Sequence, residues 1–560
     1  LAILSLGAAD TPRGCDSMDH EIQYILSLTQ ARICFAENKA QLDKILSKKA
    51  ELPNLEIIVV MDDRNIEENQ INGVKIYFHD ELVAQGKEEI GKDSNCDKFV
   101  RDEILKGEDE EVATIIFTSG TTGKPKGVVL TNRNIMYQTQ PIQKHLRLRE
   151  GMQLLSVLPI WHSFERIITY IALYVNACIA YSKPVGSVML KDIATINPEI
   201  MGSVPRIWES VKAGVLASMK KKSPLVRTLF KFFMWIGSKK VKYDDLMRGS
   251  VGTFTKKSRV IQVIRAIIPW LLLKIPYAIG DKLIFSQVKS KLGSRFYAGI
   301  SGGGSLSKDV QDFFAAMGVC IINGYGLTET APVVGAEIEM NHTKGYLTPF
   351  EGTEIKVVDL ETKKELPAGE KGVLFVRGPQ VMKGYFKEPE LTAKILDKDG
   401  WLNTGDNAVM TWDGKFAIRG RAKDTIVLSG GENIEPVPIE AKLQESFYIE
   451  TAVVVGQDQK FLGALIVPDE EKVVQYLDSK NIKYKDKTSM YKLTEVHDLI
   501  HAQIQGLVNA KTGFKTFEQI SQFTILEKSF EVNKELSAKQ ELKRSHVNDM
   551  YSKEIQQLFA

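Results

Sequence analysis

The sequence predicts an α/β chain in two parts: a large N-terminal domain of layered, mostly parallel sheets and helices that carries a β-rich subdomain, and a small α+β C-terminal domain. Three observations lead there. Short β-branched runs bounded by Gly or Asp alternate with helical periodicities as far as about Gly345. The texture then changes to hairpin-like pieces, and after Arg421 the alternation of helix and strand resumes.

Taken in order, LAILSLGAADTPRG at the start reads as a strand and turn; without a basic leader or an apolar run it resembles a fragment and not a signal peptide. LEIIVVMD (55–62), ATIIFTSG (113–120) and GVCIINGYG (318–326) are the clearest strands. IITYIALYVNACIAYS (167–182) is charge-free and reads as a buried core helix, because its sixteen residues fall short of the roughly 18 to 20 that a bilayer requires. In the β-rich part, TEIKVVDL (353–360), GVLFVRG (372–378) and KFAIRGR (415–421) are strands, and WDGK (412–415) is a tight turn. ETAVVVGQD (450–458) and ALIVPD (464–469) lead to a helical tail, NDMYSKEIQQLFA. The expected boundary lies near 420–423, giving an N-terminally incomplete domain 1–420 and a C-terminal domain 421–560.

With 44% hydrophobic and 26% charged residues in 560, the composition excludes disordered and fibrous classes. Lys+Arg 73 against Asp+Glu 70 leaves +3, no global reason to expect nucleic acid as a partner. Five scattered cysteines with no CxxC spacing exclude a disulfide framework and a zinc site, and point to the cytosol. One segment departs from this balance: residues 220–295 hold 18 Lys+Arg and 3 acids, a local +15, so the remainder is 3 − 15 = −12. Within it, LFKFFMWIG (229–237) and VIRAIIPWLLLKIPYAIG (263–280) interleave aromatic and aliphatic residues with cations, the pattern of a helix lying on an anionic membrane. A solvated basic face over a buried apolar stripe is the plainer alternative. Arg265, Pro269, Lys274 and Pro276 argue against a membrane span.

The strongest chemical signal is TIIFTSGTTGKPKGVVLTNRN (114–134): a strand, a loop, and a helix start at TNRN. Glycines let backbone N–H groups approach phosphate oxygens, hydroxyls add donors, and Lys124 and Lys126 add charge, so a triphosphate is the natural ligand. GxxxxGK[ST] does not fit in any register. Further segments are LPIWHSFER (158–166), VPRIWE (204–209), ISGGGSL (300–306), GYGLTET (324–330), GWLNTGD (400–406) and IRGRAKDTIVLSGGENIEP (418–436). In order and spacing these, with TSGTTGKPKG, resemble the adenylate-forming (AMP-binding) superfamily, and LPIWHSFER and VPRIWE resemble its long-chain fatty acyl-CoA synthetase branch.

The resemblance implies activation of a medium- or long-chain fatty acid by ATP to an acyl-adenylate, followed by transfer to CoA, with Mg²⁺ as cofactor and a mobile C-terminal domain. It implies that Thr118, Ser119, Gly120, Thr121, Thr122, Gly123, Lys124 and Lys126 cradle the phosphates, and that Thr118 and Glu329 hold the metal. Thr328 would donate to the α-phosphate, while Gly302, Tyr325, Asp406 and Arg421 would hold AMP, with Lys423 at the hinge. Trp161, Gly303 and Gly304 would shape the acyl pocket, His162 would stand near the acyl carboxylate, and Gly430 and Gly431 would admit the pantetheine arm of CoA. One departure stands out: in ELSAKQELKR (535–544), Glu541 falls where the family has its adenylation lysine. A register shift that lets Lys543 or Lys539 serve, impaired adenylation, and a repurposed chain are the competing explanations, and a weakened or shifted lysine, with Lys543 in the catalytic set, is preferred. The resulting expectation is a fatty acid–CoA ligase working in the cytosol against a membrane through residues 220–295, without nucleic acid. An acyl-ACP synthetase, a nucleotide- or acyl-binding protein of little activity, and a basic lipid-recruited scaffold are its rivals.

Overall fold

The computed structural model describes residues 1–62, 66, 70–92, 95–118, 125–304, 306–337, 345–430, 432–532, 534–536 and 542–559. Its largest sheet has seven strands in the order Thr348–Pro349, Val333–Ala336, Ile321–Gly326, Ala298–Ser301, Ile200–Ser203, Gln153–Ser156 and Cys178–Tyr181. The five strands from Ile321–Gly326 to Cys178–Tyr181 run parallel and the first two pair antiparallel. A second, mainly parallel sheet joins Ile33–Ala36, Ile57–Val60 and Val74–Phe78. Glu354–Val358, Lys371–Arg377, Leu402–Met410 and Phe416–Arg421 form the antiparallel sheet of the β-rich part. Thr411 and Lys415 close the WDGK turn, with the Lys415 N–H donating to Thr411 Oγ1 at 3.0 Å.

Three expectations change. Residues Ala2–Ser5 form a helical turn, not a strand. The apolar run 167–182 is a helix only to Tyr174: Asn176 takes a left-handed conformation (φ 55°), which Asn tolerates, and Cys178–Tyr181 continues as an edge strand. The helix starts at TNRN as expected, but it is preceded by an unforeseen strand, Lys126–Thr131, antiparallel to Val112–Thr118.

That return strand positions the next helix, Asn132–Leu146. The Thr131 hydroxyl accepts from the Asn134 N–H and Asn134 Oδ1 accepts from the Thr131 N–H, a reciprocal cap. Asn134 Nδ2 then donates to the carbonyls of Pro379 and Val381, and Gln138 brackets the 328–333 turn by donating to the Thr330 carbonyl and accepting from the Val333 N–H. Two polar residues of one helix therefore hold two different segments: Gln138 the end of GYGLTET, and Asn134 the stretch 379–381.

Residues 220–295 fold into a pair of long helices. The inner one, Pro224–Arg248, buries Phe230, Phe233 and Ile236 against Phe313 and Phe314 of the core. The outer one, Arg259–Gly280, packs on its back, with only Ala266 and Gly280 buried. In the C-terminal part, Ile449–Val455, Leu462–Pro468 and Ile520–Ile525 make a three-stranded sheet. A buried ion pair, Arg544 to Glu440 at 2.7 Å, ties the last helices to the helix Pro436–Leu443.

Candidate active site

Tyr325 leaves the Ile321–Gly326 strand with its hydroxyl donating to Asp406 Oδ2 at 2.6 Å, and Phe416 meets its ring edge-on at 5.8 Å. Asp406 is held from below by its own N–H, which donates to Thr404 Oγ1. Arg421 Nε lies 3.6 Å from Asp406 Oδ1. Burial pushes the Asp406 carboxyl up, with the Tyr325 hydroxyl and Arg421 opposing it and Glu329 adding repulsion. The Tyr325 phenol is raised well above its ordinary range by burial and then by Asp406. The expected AMP residues Tyr325, Asp406 and Arg421 thus share one contact network.

Glu329 stands in the short turn Thr328–Thr330, where Tyr385 donates to its Oε1 at 2.7 Å. Tyr385 is on the two-residue strand Gly384–Tyr385, paired to Lys126–Thr131, and Lys126 Nζ lies 5.4 Å from its ring. Thr118 is the cross-strand partner of Lys126. Burial and Glu329 raise the Tyr385 hydroxyl, so it remains a donor. Thr328 Oγ1 is 3.5 Å from Ser163 Oγ. Lys423, in the turn Ala422–Asp424, is pushed down by burial, then by Arg421 and Lys126, with Asp424 and Asp406 opposing. The fields of Lys126, Glu329, Asp406, Arg421 and Lys423 therefore overlap in one cleft.

Other expected residues have different surroundings. His162 caps the helix Ser163–Tyr174, its Nδ1 accepting from the Phe164 N–H at 3.2 Å, and Trp161 meets its ring edge-on. Gly302 faces Phe164 so closely that a Cβ would come within 2.9 Å of the ring; Gly303 has φ 76°, and Gly304 faces Pro205. Gly430 lies beside the Glu432 carboxylate. Lys543 caps the helix Arg544–Met550, its N–H donating to the Glu535 carbonyl at 2.8 Å. Ser119, Gly120, Thr121, Thr122, Gly123, Lys124, Gly431, Lys539 and Glu541 lie outside the described residues.

A small apolar cavity of about 50 Å³ lies in the core between the helices Asn132–Leu146 and Ser163–Tyr174 and the parallel sheet. Phe164, Ile168, Ile300, Ile322, Gly324 and Phe350 are among its walls. Trp161, Gly303 and Gly304 do not line it. Gly324 faces this cavity and the next residue, Tyr325, bonds Asp406, so consecutive strand positions separate an apolar chamber from a polar cleft. Sequence reasoning missed Tyr385, a lone tyrosine in KGYFK, and also Thr404 and the wall residue Phe164, though the last two lie inside motifs already singled out. Among the described residues, no group of three or more His, Cys, Asp or Glu could hold a metal ion.

Residues 1–386 match the model of the AMP-binding enzyme family, and residues 423–560 match that of the AMP-binding enzyme C-terminal domain. The chain is 35% identical over 515 residues to a protein of Arabidopsis thaliana named long-chain-fatty-acid–[acyl-carrier-protein] ligase AEE15, chloroplastic, covering 87% of this chain and 69% of that protein. It is 28% identical over 542 residues to long chain acyl-CoA synthetase 7, peroxisomal, of the same plant, covering 95% and 71%. Among solved structures, the adenylation domain of a carboxylate reductase from Mycobacterium chelonae superposes with a TM-score of 0.69 at 20% identity, covering 100% of this chain and 78% of that one.

Proposed function

Since this chain belongs to the AMP-binding enzyme family, we propose that it is a ligase that activates a medium- or long-chain fatty acid with ATP and passes the acyl group to a thiol, CoA being the preferred acceptor. One fatty acid carboxylate oxygen attacks the α-phosphorus of ATP; the bond from that phosphorus to the bridging oxygen breaks, and pyrophosphate leaves. The thiol sulfur then attacks the acyl carbon, the mixed anhydride C–O bond breaks, and AMP departs as the thiol proton is lost. The observation that carries this reading is the contact network of Tyr325, Asp406 and Arg421, drawn from three separate motifs, with Glu329 fixed by Tyr385 beside it.

Asp406, with one oxygen fixed by Tyr325 and the other near Arg421, is suited to accept from ribose hydroxyls, and Tyr325 to pack on the base. Lys126 would bring charge to the phosphates. A bound Mg²⁺ would neutralise charge between phosphate oxygens. Glu329 and Thr118 offer the hard oxygens it needs, and two protein donors fit a cation that takes its remaining ligands from substrate and water. Tyr385 engages one Glu329 oxygen, and the other would serve as ligand. Lys423 would be the hinge and Gly430 part of the CoA entrance. Lys543 would supply the adenylation charge if the C-terminal domain presents it to the cleft. The setting we favour is a membrane surface reached through residues 220–295.

A second acceptor, holo acyl carrier protein, is favoured by the likeness to the 35% identical plant protein, which is named a long-chain-fatty-acid–[acyl-carrier-protein] ligase. Fatty-acid-dependent pyrophosphate release, followed by product analysis with CoA or holo carrier protein, tests both. Release stimulated by CoA with acyl-CoA formed supports the main reading; thioester on carrier protein alone supports the second. Glu541→Lys is expected to raise release if a lysine at that position is what the chain lacks. ATP binding without release from either chain would leave a binding protein.

A further inference from the structure

The outer helix Arg259–Gly280 presents an apolar stripe to solvent. Ile264, Ile268, Leu272 and Ile275 are 64–73% exposed, with Ile261, Ile267, Leu271 and Ile279 beside them. Their spacing is three and four residues, so they share one face. The opposite face of the same helix holds the inner helix: Trp270 Nε1 donates to Asp244, Tyr277 lies under Lys240 with the ammonium 4.7 Å from its ring, and Gly280 abuts Phe233. The stripe is thus a second apolar face, additional to the one that the fold uses. On the inner helix, Phe232 and Trp235 are stacked at 6.5 Å and both are more than half exposed. A contiguous patch of this kind marks an interaction surface.

Charge selects the occupant. Lys231, Lys239, Lys242, Arg265, Lys274 and Lys282 are exposed on the two helices, and among residues 220–295 the acids are Asp244, Asp245 and Asp281, the first two buried and the third half-buried. Lys239 and Lys274 lie 5.9 and 3.8 Å from the rings of Trp235 and Trp270, cations placed beside amphipathic rings. Aliphatic residues, tryptophan and unopposed cations along one helix pair match the boundary between acyl chains and anionic headgroups.

We propose that the helix pair 224–280 lies flat on an anionic bilayer, with the stripe from Ile264 to Ile279 inserted and the surrounding lysines and arginines on the headgroups. This deepens the membrane-surface reading above, on which it rests. The stretch Arg259–Leu292 is long and apolar enough to cross a membrane by length and composition. Pro269, Pro276, Arg265 and Lys274 within it, and the anchoring of Trp270, Tyr277 and Gly280 to a helix that is itself part of the core, favour the flat arrangement.

The test is cosedimentation of the full chain with vesicles of phosphatidylcholine, or of phosphatidylcholine and phosphatidylglycerol two to one, comparing the native protein with Ile268→Ser/Leu272→Ser/Ile275→Ser. These side chains are exposed, so the variant should unfold at the same temperature and release pyrophosphate from a soluble short-chain acid as the native chain does. The expected result is binding of the native protein to the anionic vesicles, release by alkaline carbonate, and about a tenfold lower bound fraction for the variant. Native-like binding by the variant overturns the stripe and leaves the membrane reading standing. Native protein that binds neither vesicle overturns both, while pyrophosphate release judges the ligase reading independently. Equal binding to neutral vesicles, or resistance to carbonate, overturns the anionic or the flat arrangement. Loss of a dimer in the variant with vesicle binding unchanged assigns the stripe to a second copy and overturns the proposal.

Discussion

Tyr385 shows how one residue outside the expected motifs bears on the proposed chemistry. Its hydroxyl donates to Glu329 Oε1, fixing the carboxylate proposed to hold Mg²⁺. A hydrogen bond to a charged group contributes roughly 1.5–3 kcal/mol, so Tyr385→Phe is expected to raise the Mg²⁺ concentration for half-maximal pyrophosphate release by about 10-fold or more, with fatty acid affinity unchanged. An unaltered Mg²⁺ requirement would mean that Glu329 is oriented by other contacts. Glu165 offers a test of a different kind. It is fully buried, and burial pushes its carboxyl to about 7 from an ordinary 4.5, with the Ser156 hydroxyl and Leu158 N–H opposing in part. The folded state therefore holds this proton more tightly than the unfolded chain does. Below pH 4.5 both states keep it, and no penalty arises. Between 4.5 and 7 only the unfolded chain ionises, so stability falls as pH rises, by a total on the order of 3 kcal/mol above pH 7. Urea midpoints for Glu165→Gln should change less between pH 5 and pH 8 than those of the native chain; parallel pH profiles would show that another group sets the slope.

At the scale of elements, the approach of the inner helix Pro224–Arg248 to the helix Lys308–Ala316 is set by Gly237, where a Cβ would fall 2.1 Å from the Ala316 carbonyl oxygen. A backbone carbonyl in a helix cannot swing aside. Gly237→Ala should therefore cost about 2 kcal/mol or more through forced separation of the helices, measurable as a lower denaturant midpoint; a shift of less than about 0.5 kcal/mol would show that the pair slides without cost. The same elements mark what the sequence discloses. Strands such as Ile57–Val60 and Ile321–Gly326 were legible because β-branched runs end abruptly at Gly or Asp. The strand Lys126–Thr131 was not, since KGVVLT sits between a glycine-rich loop and a helix cap and carries no boundary of its own. Residues 220–295 were legible as basic and amphipathic, but which helix spends its apolar face on the core depends on tertiary packing. The site divides similarly: Tyr325, Asp406 and Arg421 lay in separate motifs that the resemblance could join, whereas Tyr385 reaches Glu329 only through sheet pairing, and the cavity wall at Phe164 depends on helix placement.

For the whole molecule, the issue is how one C-terminal domain could serve two half-reactions. Among the described residues, its contacts with the N-terminal domain include those of Glu435 and Phe447. Lys371 pairs with Glu435 at 2.9 Å, and Glu435 also accepts from Asn407 and Thr425. Farther out, Lys220 Nζ stands 3.5 Å from the Phe447 ring. Both join the two domains across the turn at Lys423, so both must shift or break if the C-terminal domain rotates. Lys423 occupies a three-residue turn between the strands Phe416–Arg421 and Ile426–Val427, the narrowest place at which a few backbone angles could redirect residues 425–560. Proline at 423 would restrict φ to about −65° and remove one conformation from that pair. Lys423→Pro is therefore expected to affect the half-reactions unequally, changing thioester formation and single-turnover pyrophosphate release by factors that differ about 10-fold or more. Rapid-quench measurement of both on the same preparation checks it. Equal loss of the two would place the pivot elsewhere and make Lys423 a contributor of charge to the cleft through its proximity to Lys126, Asp406 and Arg421. Lys423→Ala would then reproduce the defect that proline causes, because it removes the ammonium and leaves the turn free to bend.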